Sequence, residues 1–184
     1  MNIQTDIAVI GGGQAGVCAA IAAAQEGKRV VLVQERPILG GNASSEAGVP
    51  SHGAEAMGHN RNCRDTGLLE EMRLDYYINR SPHADSRSNW DVILLEKCLA
   101  EKNLQLLLST KIFDCKVADG RITEVSGYCM QKEEPVVISA KVFIDATGDG
   151  FLSAKAGAEF RLGREAALEF GEKIFGREVA DGKT

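Results

Sequence analysis

Three glycines near the start of the chain have the spacing of a phosphate-binding turn. Gly11, Gly13 and Gly16 follow an apolar run at 7–10 and open an alanine-rich stretch at 15–26. In such a turn the first glycine permits a tight exit from a strand, the second lets the backbone approach a pyrophosphate, and the third lets helix and sheet pack closely. The N–H groups and partial positive charge at a helix N-terminus favour phosphate there. The spacing therefore predicts a dinucleotide site.

An acidic residue completes this pattern. A second apolar run at 30–33 is followed by Glu35, where a carboxylate at the strand tip can accept a hydrogen bond from a ribose hydroxyl. A glycine turn alone is weak evidence, because an ordinary strand–helix–strand unit also uses glycines for packing. That alternative leaves Glu35 without a role. The order of strand, turn, helix, strand and acid favours dinucleotide binding.

A polar segment at 44–65 holds further side chains capable of chemistry. Its part at 47–65 is rich in Gly, His and Asn and has almost no apolar periodicity, which predicts a loop, or irregular structure ordered by a ligand or partner. Histidine can move protons near neutral pH, and arginine can bind a carboxylate or stabilise negative charge. The catalytic candidates are His52, His59, Arg61 and Cys63, in a segment that also contains Ser44, Ser45, Glu46, Arg64 and Asp65. For any single one of them, a solvated loop residue is the favoured alternative.

The same segment raises the question of a metal. His52, His59 and Cys63 have spacings at which a metal ion can be shared, but no second cysteine lies nearby, and we expect no metal site. The five cysteines of the chain form no CxxC pair, which argues against a disulfide framework and a structural zinc site.

Composition narrows the class of protein further. With 44% hydrophobic residues, the 184-residue chain can form one domain with a real core. A net charge of −5 with interspersed signs provides no basic face, so we expect no nucleic-acid partner. No apolar run is long enough to cross a bilayer, and the N-terminus does not resemble a secretion signal. We therefore expect a cytoplasmic protein that does not associate with membranes.

Apolar periodicity predicts the elements that position these residues. Helices are predicted at 66–79, capped by Thr66, and at 88–101, where Ser88 and Asp91 form a capping box. The apolar run at 104–108 is predicted to be a buried parallel strand.

From 111 to 140 the pattern changes to alternation with turn signals. Strands at 112–117, 122–130 and 135–140 predict an antiparallel β-meander, with Asp119 and Gly120 in its first turn. A buried strand at 141–145 then leads into a glycine-containing turn at 146–150 and a short helix, for which Asp149 is the expected N-cap.

The order of these motifs resembles the FAD-dependent oxidoreductases of the glutathione-reductase superfamily. The resemblance is carried by the glycine turn, the acid-tipped strand, Gly-Gly-Asn-Ala-Ser-Ser-Glu at 40–46, the meander, and Ile-Asp-Ala-Thr-Gly-Asp-Gly at 144–150. It spans essentially the whole chain. It implies an α/β fold: a Rossmann-like FAD-binding domain with a central parallel sheet and an inserted antiparallel β-meander.

Carried over position by position, the resemblance implies FAD as the cofactor. The residues implied for its pyrophosphate are Gly11, Gly13, Gln14, Ala15 and Gly16. Those implied for the adenosine ribose and its surroundings are Glu35 and Arg36. The stretch implied to run along the pyrophosphate and ribityl chain is Gly40, Gly41, Asn42 and Ala43. The backbone of Ile112 is implied to pair with adenine, and the turn implied to lie near the adenosine and pyrophosphate is Ala146, Thr147 and Gly148.

The resemblance also implies that the chain is incomplete. Such enzymes continue past the turn at 146–150 through a substrate domain to a last sheet strand, and no counterpart follows Gly150. We therefore expect an FAD-binding domain at 1–160, with a loop and helical insertion at 36–103 and the meander at 111–140, and the start of a truncated following region at 161–184. An open sheet edge of this kind predicts self-association.

The function implied is hydride or electron transfer at flavin N5 with a small-molecule substrate, in a parent enzyme of which this chain is the FAD-binding portion. Two alternatives stay open: an NAD(P)-dependent dehydrogenase that uses the same glycine turn, and a non-catalytic dinucleotide-binding scaffold. FAD is favoured over NAD, because a nicotinamide-binding Rossmann domain does not normally carry the meander and the Ala-Thr-Gly turn in this order.

Overall fold

The computed structural model describes residues 1–49, 64–79 and 86–171. The strands in these ranges are β1 (Asn2–Ile10), β2 (Val30–Val33), β3 (Leu104–Leu107), β4 (Thr110–Ala118), β5 (Arg121–Cys129) and β6 (Glu134–Asp145). The helices are α1 (Gln14–Gln25), α2 (Gly67–Ile78), α3 (Ser86–Ala100), α4 (Phe151–Lys155) and α5 (Ala167–Phe170), with a 3₁₀ turn at Gly41–Ala43. None of the helices in the described ranges has the length and apolar character needed to cross a membrane.

One mixed sheet contains all of these strands, in the order β3-β2-β1-β6-β5-β4. β1 pairs in parallel with both β2 and β6, and β2 pairs in parallel with β3. β4 and β6 flank β5 in antiparallel pairing. The predicted α/β fold, with a parallel centre and an antiparallel meander, is confirmed.

Side chains of the parallel strands alternate between two hydrophobic cores. Val9 and Leu32 pack with α1, α2 and α3 on one face of the sheet. Ala8 and Val33 belong to the opposite core, which also contains side chains of β4, β5, β6 and α4. Strands buried on both faces have continuous apolar sequences, which explains why 7–10 and 30–33 contain no polar residue. The turns predicted to bind the cofactor therefore follow strands of a sheet that is covered on both faces.

The sheet curls back on itself where β4 begins. The N–H of Thr110 donates to the carbonyl oxygen of Gln34 at 2.9 Å, and the N–H of Ser109 donates to the carbonyl oxygen of Arg36 at 3.1 Å. Ser109 has a φ of 48°, a left-handed conformation that turns the chain from β3 directly into β4. The start of the meander therefore lies beside the end of β2.

Two strand predictions were wrong in detail. The strands predicted at 135–140 and 141–145 are one continuous strand, β6. Residues 134–139 pair with β5 and residues 137–145 pair with β1, so the two pairings overlap and no break separates them. The run at 104–108 does form a parallel strand, but β3 lies at the end of the sheet order and Gln105 is exposed. Leu107 is therefore the one buried residue of β3.

The predicted capping box was also wrong. α3 begins at Ser86, so Ser88 lies inside the helix. Asp91 instead accepts a hydrogen bond from the N–H of Ser45, with its Oδ1 at 2.9 Å. The acid thus ties the chain after the 3₁₀ turn to α3. Thr66, by contrast, occupies the N-cap position of α2 as predicted, although its side chain makes no capping hydrogen bond.

At Gly127 the backbones of β4 and β5 come close together, so a substitution there tests the pairing of these two strands. A Cβ at this position would lie 2.1 Å from the carbonyl oxygen of Lys111. We expect Gly127→Ala to lower the free energy of unfolding by about 1–3 kcal/mol, since the backbone of β4 would have to move. Chemical denaturation measures this, with Ser126→Ala on the same strand as the control. Equal stability of the two variants would contradict the register described here.

Candidate cofactor site

The two glycine-containing turns, which are far apart in the sequence, meet at the carboxyl ends of β1 and β6. The N–H of Ala146 donates to the carbonyl oxygen of Ile10 at 2.8 Å. A Cβ on Gly11 would lie 2.1 Å from the carbonyl oxygen of Ala146, and a Cβ on Gly16 would lie 1.9 Å from that of Gly11. Backbone can approach backbone this closely only where side chains are absent. Gly11 and Gly16 are therefore required by the fold.

A cleft of about 870 Å³ opens along this edge of the sheet. Its volume is within the range of small-molecule and cofactor sites. All of the predicted cofactor residues except Gly16 line it: Gly11, Gly13, Gln14, Ala15, Glu35, Arg36, Gly40, Gly41, Asn42, Ala43, Ile112, Ala146, Thr147 and Gly148. Gly16 is buried behind the first turn, where its role is close packing.

The floor of this cleft fits a pyrophosphate. The N-terminus of α1 faces the cleft through Gly13, Gln14 and Ala15, and neither a side-chain cap nor an acidic residue occupies its first turn. A Cβ on Gly13 would meet nothing within 4 Å, so the absence of a side chain leaves room for a ligand. The Nε2 of Gln14 is buried and, among the residues described, has no hydrogen-bond partner. An anionic ligand would supply the missing acceptors.

Charged side chains pair at the mouth of the cleft. The Nζ of Lys111 lies 2.7 Å from the Oε1 of Glu35, and both side chains are largely exposed. Arg36 Nη1 lies 2.8 Å from Glu46 Oε2. Exposed pairs contribute little to stability. The pair with Lys111 joins the second residue after β2 to the beginning of β4.

Gln34 has a structural role that the sequence did not reveal. Its buried side chain accepts a hydrogen bond from the N–H of Gly12 through Oε1 at 2.9 Å and donates through Nε2 to the carbonyl oxygen of Ile38 at 3.0 Å. It thereby ties the glycine turn to the chain that leads into the 3₁₀ turn. In the sequence, the only sign of this role is that a polar residue stands between a fully apolar strand and Glu35. The burial of the Gln34 side chain depends on tertiary packing and could not be read from the sequence.

Asp145 organises the opposite wall of the cleft. Its Oδ1 accepts hydrogen bonds from the N–H and hydroxyl of Thr147 at 3.1 and 2.7 Å, and its Oδ2 accepts from the N–H and hydroxyl of Ser153, both at 2.7 Å. The Oγ1 of Thr147 in turn accepts the N–H of Phe151 at 2.9 Å. Partial burial raises the pKa of Asp145, but the hydrogen bonds from Ser153 and Thr147 outweigh it and lower the pKa below its usual value.

The expectation that Asp149 caps the following helix was wrong. The N-cap position of α4 is Gly150, without a side-chain cap, and the first N–H groups of the helix are bound by Thr147 and Asp145 instead. Asp149 is exposed and lines the cleft. The cap therefore comes from the turn itself, which couples the start of α4 to the cleft wall.

The polar segment is only partly described. His52, His59, Arg61 and Cys63, the catalytic candidates, lie outside the described residues. Described polar residues of the segment have structural contacts: the hydroxyl of Ser44 donates to the carbonyl oxygen of Gly41 at 2.7 Å, and Arg64 and Asp65 form ion pairs with Glu70 and Arg73 of α2. Within the described part of the chain, no group of three or more His, Cys, Asp or Glu side chains could hold a metal ion.

Comparison with known proteins decides between the possible cofactors. A family model described as FAD dependent oxidoreductase matches residues 6–181. The chain belongs to this family. Membership in the FAD dependent oxidoreductase family establishes FAD as the cofactor, as the sequence predicted, and identifies the chain as the FAD-binding portion of a flavin-dependent oxidoreductase.

Individual relatives agree with this assignment. The chain is similar to the fumarate reductase (cytochrome) of Shewanella frigidimarina, with 46% identity over 43 residues, which are 23% of this chain and 8% of that enzyme. It is 29% identical over 169 residues to the thiamine thiazole synthase of Thermococcus kodakarensis, covering 81% of this chain and 59% of that enzyme.

A solved structure shares the fold. The geranylgeranyl bacteriochlorophyll reductase-like protein of Thermoplasma acidophilum superposes with a TM-score of 0.59 at 19% identity, covering 86% of this chain and 43% of that one. The chain therefore spans less than two thirds of each of these three proteins.

Replacing Asp145 tests the turn after β6. We expect Asp145→Asn to lower the free energy of unfolding by about 1–3 kcal/mol at neutral pH, because an amide provides one acceptor oxygen where the carboxylate provides two. Since the pKa of Asp145 is lowered by folding, its contribution is complete above about pH 4 and is lost as the pH falls through the folded value. Denaturation across this range measures the difference from the unsubstituted protein. Asp149→Asn is the control, and a deficit that persists at acidic pH would contradict the assigned network.

Proposed function

We propose that the cleft binds the adenosine and pyrophosphate of FAD through the residues that line it. The observation that carries this proposal is the meeting of the turn at Gly11 with the turn at Ala146, on either side of the α1 N-terminus. Open α/β sheets bind ligands at the carboxyl ends of their strands, and both turns lie there.

The cleft offers each part of the cofactor a matching group. Gly13 leaves room for the pyrophosphate, and the N-terminus of α1, with the Nε2 of Gln14, provides donors for it. Glu35 and Ile112 both line the cleft, which supports the proposal that Glu35 accepts a hydrogen bond from a ribose hydroxyl and that the backbone of Ile112 pairs with adenine. The chain at 40–43 would run along the ribityl group. When bound, FAD supplies hydride or electron transfer at N5, while these residues bind and orient it.

We further propose that the chain belongs to the glutathione-reductase superfamily and that its FAD-binding domain ends near residue 160. In support, the sheet and α4 are complete by Lys155. Several apolar side chains beyond that point are exposed, with Leu168 at 92%, as expected for a region that packs elsewhere. For the whole enzyme we propose a small-molecule substrate. The residues proposed to act on it are His52, His59, Arg61 and Cys63.

Titration of the purified chain tests the cofactor assignment directly. We expect FAD to bind in preference to NADH and to give a yellow protein. Absorbance after gel filtration and fluorescence titration with each nucleotide measure this. A folded chain that prefers NADH would support the nicotinamide alternative, and one that binds neither nucleotide would point to the scaffold.

Two glycine variants separate binding from folding. Gly13 has a φ of −66° and open space at its Cβ position, but it is the N-cap of α1, where alanine is less favourable than glycine. The gain in chain stiffness and the weaker cap oppose each other, so Gly13→Ala should change stability by less than about 1 kcal/mol. It should nevertheless weaken FAD binding at least about tenfold, because the methyl group would occupy the pyrophosphate site. Gly16→Ala should destabilise the fold itself, since its Cβ would clash with backbone. Calorimetry and denaturation provide both values, and full FAD affinity in Gly13→Ala would contradict the proposed pose.

A further inference from the structure

An aromatic side chain at a β-bulge in β4 lines the cleft. The pairing of β4 with β5 matches Ile112 to Gly127 and Asp114 to Ser126, which leaves Phe113 as the extra residue. Ile112 is buried in the core, whereas Phe113 is 51% exposed and lines the cleft. Successive side chains of a strand point to opposite faces, so Phe113 points away from the core that Ile112 enters. The phenyl ring is therefore available to a ligand in the cleft.

A second phenylalanine lines the same cleft from α4. Phe151, the first residue of that helix, is 38% exposed. Lys155 is one helical turn further on, on the same helix face, and its Nζ lies 3.4 Å from the Oδ1 of Asp114, the residue after Phe113. The ion pair thus joins the bulge to α4. Both phenylalanines therefore belong to one wall of the cleft.

The neighbours of this wall indicate which part of a dinucleotide it faces. Phe113 follows Lys111 by two residues, and the Nζ of Lys111 lies 2.7 Å from Glu35, the residue assigned to the ribose. The pyrophosphate end lies at the α1 N-terminus. A flat apolar surface beside the ribose is suited to a base, because every base presents a π-face that can stack on an aromatic ring.

We propose that Phe113, with Phe151 beside it, forms the surface against which the adenine ring packs, and that Phe113 favours a purine nucleotide over a pyrimidine nucleotide. This inference rests on the proposed function of the cleft as the site of the adenosine and pyrophosphate. A purine has the larger ring system and buries more area against the phenyl ring, whereas the edge of the base is left to the backbone contact assigned to Ile112.

Calorimetric titration of the full 184-residue chain with FAD, ADP and UDP tests the proposal. ADP carries the adenosine and pyrophosphate without the flavin, and UDP replaces the purine with a smaller base. The variants are Phe113→Ala, Phe113→Tyr and Phe113→Leu, which respectively remove the ring, keep it, and keep apolar volume without a π-face. Phe160→Ala, which removes a 63% exposed ring outside the cleft, is the matched control.

We expect Phe113→Ala to weaken FAD and ADP binding about tenfold and to reduce the preference for ADP over UDP at least about threefold. Phe113→Tyr and Phe160→Ala should stay within about twofold of the unsubstituted chain, and Phe113→Leu should fall between Phe113→Tyr and Phe113→Ala. If Phe113→Ala does not fold, the comparison of Phe113→Tyr with Phe113→Leu gives the same answer.

Two results would overturn the inference, and they can be told apart from failure of the proposed function. If the unsubstituted chain binds FAD and ADP, and the Phe113 variants bind both as well as it does, the adenine surface lies elsewhere while the cleft remains the FAD site. Equal weakening of ADP and UDP would also reject a role in base selection. If the unsubstituted folded chain binds neither FAD nor ADP, the proposed function of the cleft fails, and this inference fails with it.

Discussion

Close contact between backbone segments at the end of the sheet is the constraint on which the site depends. Gly11 approaches the carbonyl oxygen of Ala146, and Gly16 approaches that of Gly11, at distances that leave no space for a Cβ atom. These contacts bring β1, α1 and the turn after β6 together at one point. The same absence of side chains leaves the α1 N-terminus open at Gly13, where a phosphate can reach its N–H groups. In this short sequence, Gly11 and Gly16 therefore serve packing, whereas Gly13 leaves room for a ligand.

Two polar side chains hold the turns that this contact brings together. Gln34 binds the N–H of Gly12 on one side, and Asp145 binds Thr147 and Ser153 on the other. Polar groups in such positions rigidify a structure when all of their hydrogen bonds are made. Neither residue belongs to the glycine motif or the Ala-Thr-Gly motif itself. Each lies directly after or at the end of a strand, so the strand fixes its backbone and leaves its side chain free to bind the neighbouring turn.

Local sequence was sufficient for the elements whose geometry is set by their own residues. The apolar run of β2, the α1 helix after the glycine turn, and the Asp119–Gly120 turn, where both residues have positive φ, were all predicted and are present. Errors arose where an element is defined by its neighbours. Whether β6 is one strand or two depends on its pairing with β1 and β5, and the exposure of β3 depends on its place in the sheet order.

For the site, the sequence by itself determined the residue types that a dinucleotide requires: small residues where backbone must approach phosphate, and an acid beyond the second strand. The resemblance carried by its motifs implied FAD, and every residue implied for the cofactor except Gly16 lines the cleft. Only the tertiary structure decided that Asp145 caps α4 in place of Asp149, that Gln34 supports the glycine turn, and that Phe113 lines the cleft. The physical reason is the range of the interactions. A glycine's conformational freedom acts within its own turn, whereas hydrogen-bond partners and strand register depend on residues that are distant in the chain and become neighbours only when the sheet has formed.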